Sequence, residues 1–332
     1  MFFIIKKSRI YAACGVSQTP IKTIIREVRS LIVIKDVCKS YGEKKVLNNV
    51  SFHISIGERV GIIGLNGAGK TTLLNILSGI LQPDSGFKRV SNTENILEKD
   101  DVKRDIVYVS GTKSSLWEDL RVRASYENCI SMYHIDKDIA KKRLEELTEV
   151  FEIDHLLNSI PRDISLGERM RCELVYAFLI SPKLLLLDET MIGIDVSIKH
   201  KIMKWLENYK IKDTTLIYTS HNLQEVEKIC DRIILLDKGN IIFDGSVEEL
   251  LEKYEPLYTL SVNTKGVYLD MEDLPIEKIN IENGIMEIFY HKQKIETKQI
   301  VSHILSKCEI YDMRQIEPNL TDTIRKIYRE EQ

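Results

Sequence analysis

Eight consecutive residues, Gly64-Leu65-Asn66-Gly67-Ala68-Gly69-Lys70-Thr71, have the types and the spacing to grip a polyphosphate. A glycine, four residues, a second glycine, a lysine and a hydroxyl form the phosphate-loop pattern. The glycines let the backbone wrap so that successive amides point at phosphate oxygens. Lys70 brings a point charge to the terminal phosphates. Thr71 offers a hydroxyl to the magnesium ion that travels with a nucleoside triphosphate, and Thr72 continues the loop into a helix. A second cluster completes a chemistry. The run Leu184-Leu185-Leu186-Leu187 ends in Asp188-Glu189. An acid at a strand end can hold magnesium through its hydration shell, and the next acid can polarise a water for in-line attack on the γ-phosphate. Either cluster alone has a plain alternative: a glycine-rich turn with a surface lysine, or a strand that ends in exposed acids. Together they point to phosphoryl transfer to water.

These residues need elements to carry them. Val60-Gly61-Ile62-Ile63 reads as a short buried strand leading into the loop. Leu73, Leu74, Ile76, Leu77 and Ile80 then recur at helical spacing, so the positive end of a helix faces the same anions. Strands are expected over residues 31–37, 46–54, 106–109, 184–187 and 214–219. The unbroken leucine run suits a strand buried on both faces. Residues 122–160 read as mostly helical, with Ile139, Leu144, Leu147, Val150 and Phe151 on one face. A helix over residues 197–209 has Ile198, Ile202, Trp205, Leu206 and Tyr209 as its buried stripe. A hairpin turns at Lys238-Gly239-Asn240. Strands alternating with helices predict an α/β fold with a parallel sheet. Beyond Tyr254-Glu255-Pro256 the pattern changes to short strands (258–262, 285–290, 309–315) and helices (297–307, 321–329), an α+β appendage without a chemical motif.

Composition narrows the function. At 332 residues the chain has room for one large and one small domain. A net charge of −3 gives no global basic field for nucleic acid, so none is expected as a partner. The six cysteines lack paired spacing, which suits free thiols in a reducing compartment. No apolar run approaches the ~18 residues a membrane helix needs; the stretch 174–187 is broken by Ser181-Pro182-Lys183. A membrane role would have to be borrowed from a partner. Phe2-Phe3-Ile4-Ile5 precedes Lys6-Lys7, the reverse of a signal peptide's order, and residues 1–30 are read as an N-terminal extension.

Ile164-Ser165-Leu166-Gly167-Glu168, followed by Arg169-Met170-Arg171, lies between the phosphate loop and the acidic strand. Here the chain resembles the ATP-binding subunits of ABC transporters, whose signature is leucine-serine-glycine-glycine-glutamine. The resemblance covers residues 31–246, and its motifs stand in the family's order. It implies a P-loop core with a parallel sheet, an N-terminal antiparallel β part and a helical subdomain at about 112–163. The ATP-binding domain would span 31–253, with a small accessory α+β domain at 254–332. It implies that Tyr41 stacks on adenine, that Ser165, Gly167 and Glu168 contact ATP from a second copy, and that His221 in Thr219-Ser220-His221-Asn222 contacts the γ-phosphate. Gly193-Ile194-Asp195 resembles the loop through which two such domains communicate. Leu116-Trp117-Glu118-Asp119-Leu120 and the stretch from Ser165 to Glu173 resemble the ATPases of bacterial antibiotic and polysaccharide exporters.

The resemblance therefore implies an ATPase with ATP and magnesium, working as a dimer of nucleotide-binding domains. It implies an integral-membrane permease at the cytoplasmic face of the membrane, docked around residues 116–120. Three positions depart from the family. Its loop glutamine is replaced by Thr112, or by Gly111 if the register slips. Leu166 stands for the first signature glycine, and Thr190-Met191 for proline-threonine after Glu189. The lost glutamine motivates an alternative, a regulatory ATP-binding module with little hydrolysis. A further alternative is a soluble ATPase of the same class that acts on ribosomes or DNA.

Overall fold

A strand without a polar break must be covered on both faces, and Leu184, Leu185, Leu186 and Leu187 are all buried. The computed structural model describes residues 30–111, 114–208, 214–254, 257–267, 269–271, 273–316, 323–324 and 327–328. The chain opens with β1 (Ser30–Tyr41), β2 (Lys44–Ser55) and β3 (Arg59–Gly64), followed by α1 (Lys70–Ser78) and β4 (Ser85–Val90). It continues through α2 (Asp100–Arg104), β5 (Ile106–Ser110), α3 (Val122–Met132), α4 (Lys137–Phe151) and α5 (Leu166–Ile180). Then come β6 (Leu184–Asp188), α6 (Val196–Asn208), β7 (Thr215–Thr219), α7 (Leu223–Ile229), β8 (Arg232–Asp237), β9 (Asn240–Ser246) and α8 (Val247–Lys253).

The central sheet has six strands in the order β5-β6-β7-β3-β8-β9. The first five are parallel and β9 returns antiparallel from β8. A three-stranded antiparallel sheet, β2-β1-β4, forms the N-terminal β part. Side chains alternate along a strand, so β6 feeds two cores at once. Leu184 and Leu186 join Ile62, Ile217, Ile234 and Leu236 against α1 and the antiparallel sheet. Leu185 and Leu187 join Tyr218, Ile233 and Leu235 with the helices of the opposite side. There Phe151, Phe178 and Trp205 form a ring cluster with centroids 5.0–5.9 Å apart. Arg171 donates to the carbonyls of Phe151 and Glu152, closing the end of α4.

Two expected core positions are corrected. Ile80 lies beyond Gly79, whose φ of 85° ends α1, and is 54% exposed. Ile139 is also exposed; Ala140, Leu147 and Phe151 make the buried contacts of α4. Ala140, Leu147 and Phe151 fall on one stripe, and Ile139, one residue before Ala140, lies about 100° round the helix from it, in the first turn capped by Asp136. Tyr209, Thr112 and residues 1–29 lie outside the described residues.

The last part of the chain contains β10 (Tyr258–Asn263), β11 (Ile276–Glu282), β12 (Ile285–Tyr290), α9 (Thr297–Lys307) and β13 (Asp312–Ile316). The strands form an antiparallel sheet in the order β11-β12-β10-β13, with a core of its own around Leu260, Met286, Ile288 and Ile300. β11 was not expected, because Glu277, Lys278 and Glu282 break its apolar alternation. Residues 254–332 are not wholly set apart. Ile324, Ile327 and Tyr328 belong to the core of the large sheet, and the Tyr328 hydroxyl donates to the Leu236 carbonyl at 3.0 Å. Tyr328→Phe is expected to lower stability by about 1 kcal/mol, read as a lower denaturation midpoint; an unchanged midpoint would contradict the contact.

Candidate nucleotide-binding and catalytic site

Asp188 is the centre of the site. Its carboxylate, 5% exposed at the end of β6, accepts three hydroxyls from three other elements. Thr71 of α1 donates to Oδ2 at 2.9 Å, Tyr108 of β5 donates to Oδ2 at 3.1 Å, and Thr219 of β7 donates to Oδ1 at 2.6 Å. A buried carboxylate needs such partners to remain charged. Burial, then the Asp188 charge, pushes the Tyr108 phenol well above its ordinary value, which keeps it a donor. Sequence reasoning missed Tyr108 and Thr219. The strands flanking the acidic one carry several hydroxyls, Tyr108 and Ser110 on one and Thr215, Tyr218 and Thr219 on the other; pairing brings Thr219 level with Asp188, whereas Tyr108 is level with Leu186 and reaches the acid with its longer side chain.

The phosphate loop joins the centre of the sheet to α1. Gly67 and Gly69 have φ of 84° and 106°, values that favour glycine. A Cβ on Gly69 would lie 2.7 Å from Leu47 and 2.8 Å from the Val46 carbonyl, so β2 closes one side of the loop. A Cβ on Gly67 would meet nothing within 4 Å, which leaves open space above the loop. The amide of Gly239, in the β8–β9 turn, donates to the Ala68 carbonyl at 3.2 Å and braces the loop from behind. Lys70 is buried, and its Nζ donates to the carbonyls of Gly64 at 2.8 Å and Leu65 at 3.4 Å. Burial pushes its amine below the ordinary lysine value, opposed by the charges of Glu189 and Asp188. Leu65 and Asn66 are exposed on the rim, Thr71 faces solvent and Thr72 is half-buried.

Glu189 has a φ of 56°, a strained conformation for a residue with a side chain. Its amide donates to both the carbonyl and the hydroxyl of Thr219, each at 3.1 Å, which holds that conformation. His221 Nε2 lies 2.7 Å from Glu189 Oε1. The loop bearing His221 is anchored by Glu225 at the start of α7, whose carboxylate accepts the hydroxyls of Tyr218 at 2.6 Å and Ser220 at 2.7 Å and an ammonium bond from Lys199 at 3.1 Å. Thr190, in place of proline, is fully buried, and its hydroxyl has no partner among the described residues.

The structure thus brings Lys70, Thr71, Asp188, Glu189 and His221 together. Ser165, Gly167 and Glu168 stand apart from them. Ser165 caps α5: its hydroxyl donates to Glu168 Oε2 at 2.7 Å and accepts the Glu168 amide at 3.3 Å. The Ser165 hydroxyl and the Ser165 amide, which donates to the same oxygen at 2.9 Å, hold the Glu168 carboxyl below its usual value. Gly167 is required by contact, since a Cβ there would lie 2.1 Å from the Gly193 carbonyl. No hydrogen bond or ion pair among the described residues joins Ser165 or Glu168 to the phosphate loop. Leu166, in place of a glycine, is 45% exposed beside Gly193. Tyr41 is 53% exposed at the end of β1, a ring with a free face. Asp84 fixes the backbone just before it by accepting the Ser40 amide at 2.7 Å and the Lys39 ammonium at 2.5 Å.

A phosphate loop between a central parallel strand and its helix, facing an acidic strand end, defines a P-loop nucleotide hydrolase of the α/β class. The model for the ABC transporter family matches residues 47–192. The chain is 32% identical over 241 residues to the probable sulfate/thiosulfate import ATP-binding protein CysA of Chlorella vulgaris, covering 71% of this chain and 99% of that protein. It is 31% identical over 234 residues to the lipopolysaccharide export system ATP-binding protein LptB of Escherichia coli (strain K12), covering 67% and 92%. A solved ATP-binding subunit of an ABC transporter superposes with a TM-score of 0.62 at 26% identity, covering 68% of this chain and 93% of that one. The dimeric post-hydrolysis structure of the ATP-binding cassette MJ0796 with ADP and Pi gives a TM-score of 0.57 at 26% identity, covering 65% and 98%. The chain belongs to the ABC transporter ATP-binding subunits and is an ATPase.

Thr219→Val keeps the shape of the side chain and removes both hydroxyl bonds at the acid pair. Turnover is expected to fall on the order of 10- to 100-fold, the rate equivalent of about 1.5–3 kcal/mol of hydrogen bonding to a charged group. A phosphate-release assay checks this; turnover within about 2-fold of the parent would contradict the role given to Thr219.

Proposed function

We propose that two copies of this chain trap two ATP molecules between them and that closure and release of this sandwich drive export through a separate integral-membrane permease. The observation that carries the reading is that no hydrogen bond or ion pair among the described residues joins Ser165 or Glu168 to the phosphate loop or the acid pair. Lys70, Thr71, Asp188, Glu189 and His221 converge, whereas Ser165 is exposed, Glu168 is half-buried, and these two are bonded to each other. A second copy can bring its Ser165, Gly167 and Glu168 to the first copy's phosphate loop.

In this reading Tyr41 stacks on adenine. The backbone of Gly64, Leu65, Asn66, Gly67, Ala68 and Gly69 cradles the phosphates, joined by Lys70, Thr71 and Thr72. Lys70 exchanges its bonds to the Gly64 and Leu65 carbonyls for phosphate oxygens. Thr71 and Asp188, 2.9 Å apart, are an oxygen pair suited to magnesium. That ion would supply charge neutralisation at the phosphates. Glu189 orients and polarises the attacking water, and His221 links that carboxylate to the γ-phosphate. Charge loss at the γ-phosphate after hydrolysis removes the shared contacts and opens the dimer.

Residues 31–253 form the ATPase unit of this reading and 254–332 an accessory one, with Ile324, Ile327 and Tyr328 returning to the ATPase core. Trp117 is 51% and Leu120 37% exposed, which supports residues 116–120 as the docking surface for the permease. No helix among the described residues is long and apolar enough to cross a membrane. Attachment to the cytoplasmic face of the membrane therefore runs through the permease in this reading. Export is supported by the motifs at 116–120 and 165–173; the relatives include both import and export systems.

Glu189→Gln removes the charge that polarises water and keeps the shape of the side chain. With ATP it is expected to run as a dimer in size-exclusion chromatography and to lose turnover by about 100-fold or more. Hydrolysis at the parental rate would overturn the role of Glu189.

A further inference from the structure

Glu173 lies about two helical turns beyond Ser165 on α5 and is 1% exposed. It touches neither the phosphate loop nor the acid pair, so the proposed chemistry makes no use of it. Its carboxylate is nevertheless fully engaged. Both oxygens accept the Ser115 amide at 3.0 Å, Oε1 accepts the Leu116 amide at 3.4 Å, and the Ser114 hydroxyl also donates to Oε1. Burial holds this carboxyl above its ordinary value, and those hydrogen bonds offset only part of the rise. An apolar side chain would fill the same space, leave the Ser115 amide without this acceptor and leave the Leu116 amide with the Ser114 hydroxyl alone. A carboxylate makes a directional clamp that seizes several donors of one segment at once.

The segment it seizes leads into the exposed surface at 117–120. Leu116 is buried, and the next amide, that of Trp117, donates to the Ser125 hydroxyl of α3 at 3.1 Å. The fully buried Tyr126 of α3 donates to the Cys172 carbonyl at 3.1 Å, one residue from Glu173. A set of hydrogen bonds, partly or fully buried, therefore links Trp117 and the 114–116 segment to α3 and, through Glu173, to α5. At the far end of α5 stand Ser165 and Gly167, the latter in backbone contact with Gly193.

We propose that Glu173 is a positioning residue that fastens the 114–117 segment to α5, so that engagement of Ser165 by ATP moves the exposed surface at Trp117 and Leu120 as one body with the signature. This rests on the composite-site reading above. It adds a specific mechanical joint between that site and the surface offered to the permease.

Amide hydrogen exchange on the full chain carrying Glu189→Gln reads both ends of the joint in one experiment. With ATP, amides of residues 166–170 and of residues 114–120 are both expected to slow, on the order of tenfold. With Glu173→Ala added, residues 166–170 should still slow while the response at 114–120 is lost. Glu173→Gln keeps one carbonyl acceptor and should retain part of the response. Ser114→Ala leaves α5 untouched and should shrink the response in the same segment, which keeps the test informative should Glu173→Ala fail to fold. A full response at 114–120 in Glu173→Ala overturns the proposal, as does a parent whose 166–170 amides slow while 114–120 do not. No slowing at 166–170 would contradict the composite site itself, and the coupling with it.

Discussion

The Asp188 carboxylate is the constraint on which the site depends. A nearly buried charge is costly unless several donors compensate it. Here the donors come from α1, β5 and β7, so one side chain ties the phosphate-loop helix to three neighbouring strands. The next residue inherits the consequence. With Asp188 fixed, the chain leaves β6 through a left-handed Glu189, held by the same Thr219 that bonds Asp188. The Thr219 hydroxyl thus touches both acids, donating to the Asp188 carboxylate and accepting the Glu189 amide.

Around this centre the site is assembled from backbone approaches that leave no room for side chains. Gly69 fits against Val46 and Leu47, and Gly167 against Gly193. The second contact joins the loop after the acid pair to the first turn of α5. The two walls of the site, although they face different ATP molecules in the proposed dimer, are thus packed together within one chain. Glu225 plays the supporting part on the far side by gathering Tyr218, Ser220 and Lys199 beneath His221.

Much of this was legible in the sequence. The phosphate loop, the leucine strand with its acids, the hairpin at Lys238-Gly239 and the order of strands and helices all carry local signals, because glycine placement and apolar periodicity are properties of neighbouring residues. What was not legible depends on distant partners. Tyr108 and Thr219 look like ordinary members of apolar strands until pairing sets them beside Asp188. Ile139 adds to the apolar count of its helix, but the packed stripe runs through Ala140, Leu147 and Phe151 and leaves it outside. β11 hides because its outward face is charged. The return of Ile324, Ile327 and Tyr328 to the large core is a tertiary contact with no local mark, and Glu173 gains a role only once the 114–116 segment is seen against it.

The account makes each chain half of two sites, one wall built on Asp188 and the other on Ser165. The most direct measurement is the dependence of ATPase rate on protein concentration at saturating ATP and magnesium, carried below the dimer dissociation range. The account predicts that the rate per chain falls with dilution, approaching a second-order dependence on total protein. A rate per chain that stays constant while light scattering reports monomers would contradict it.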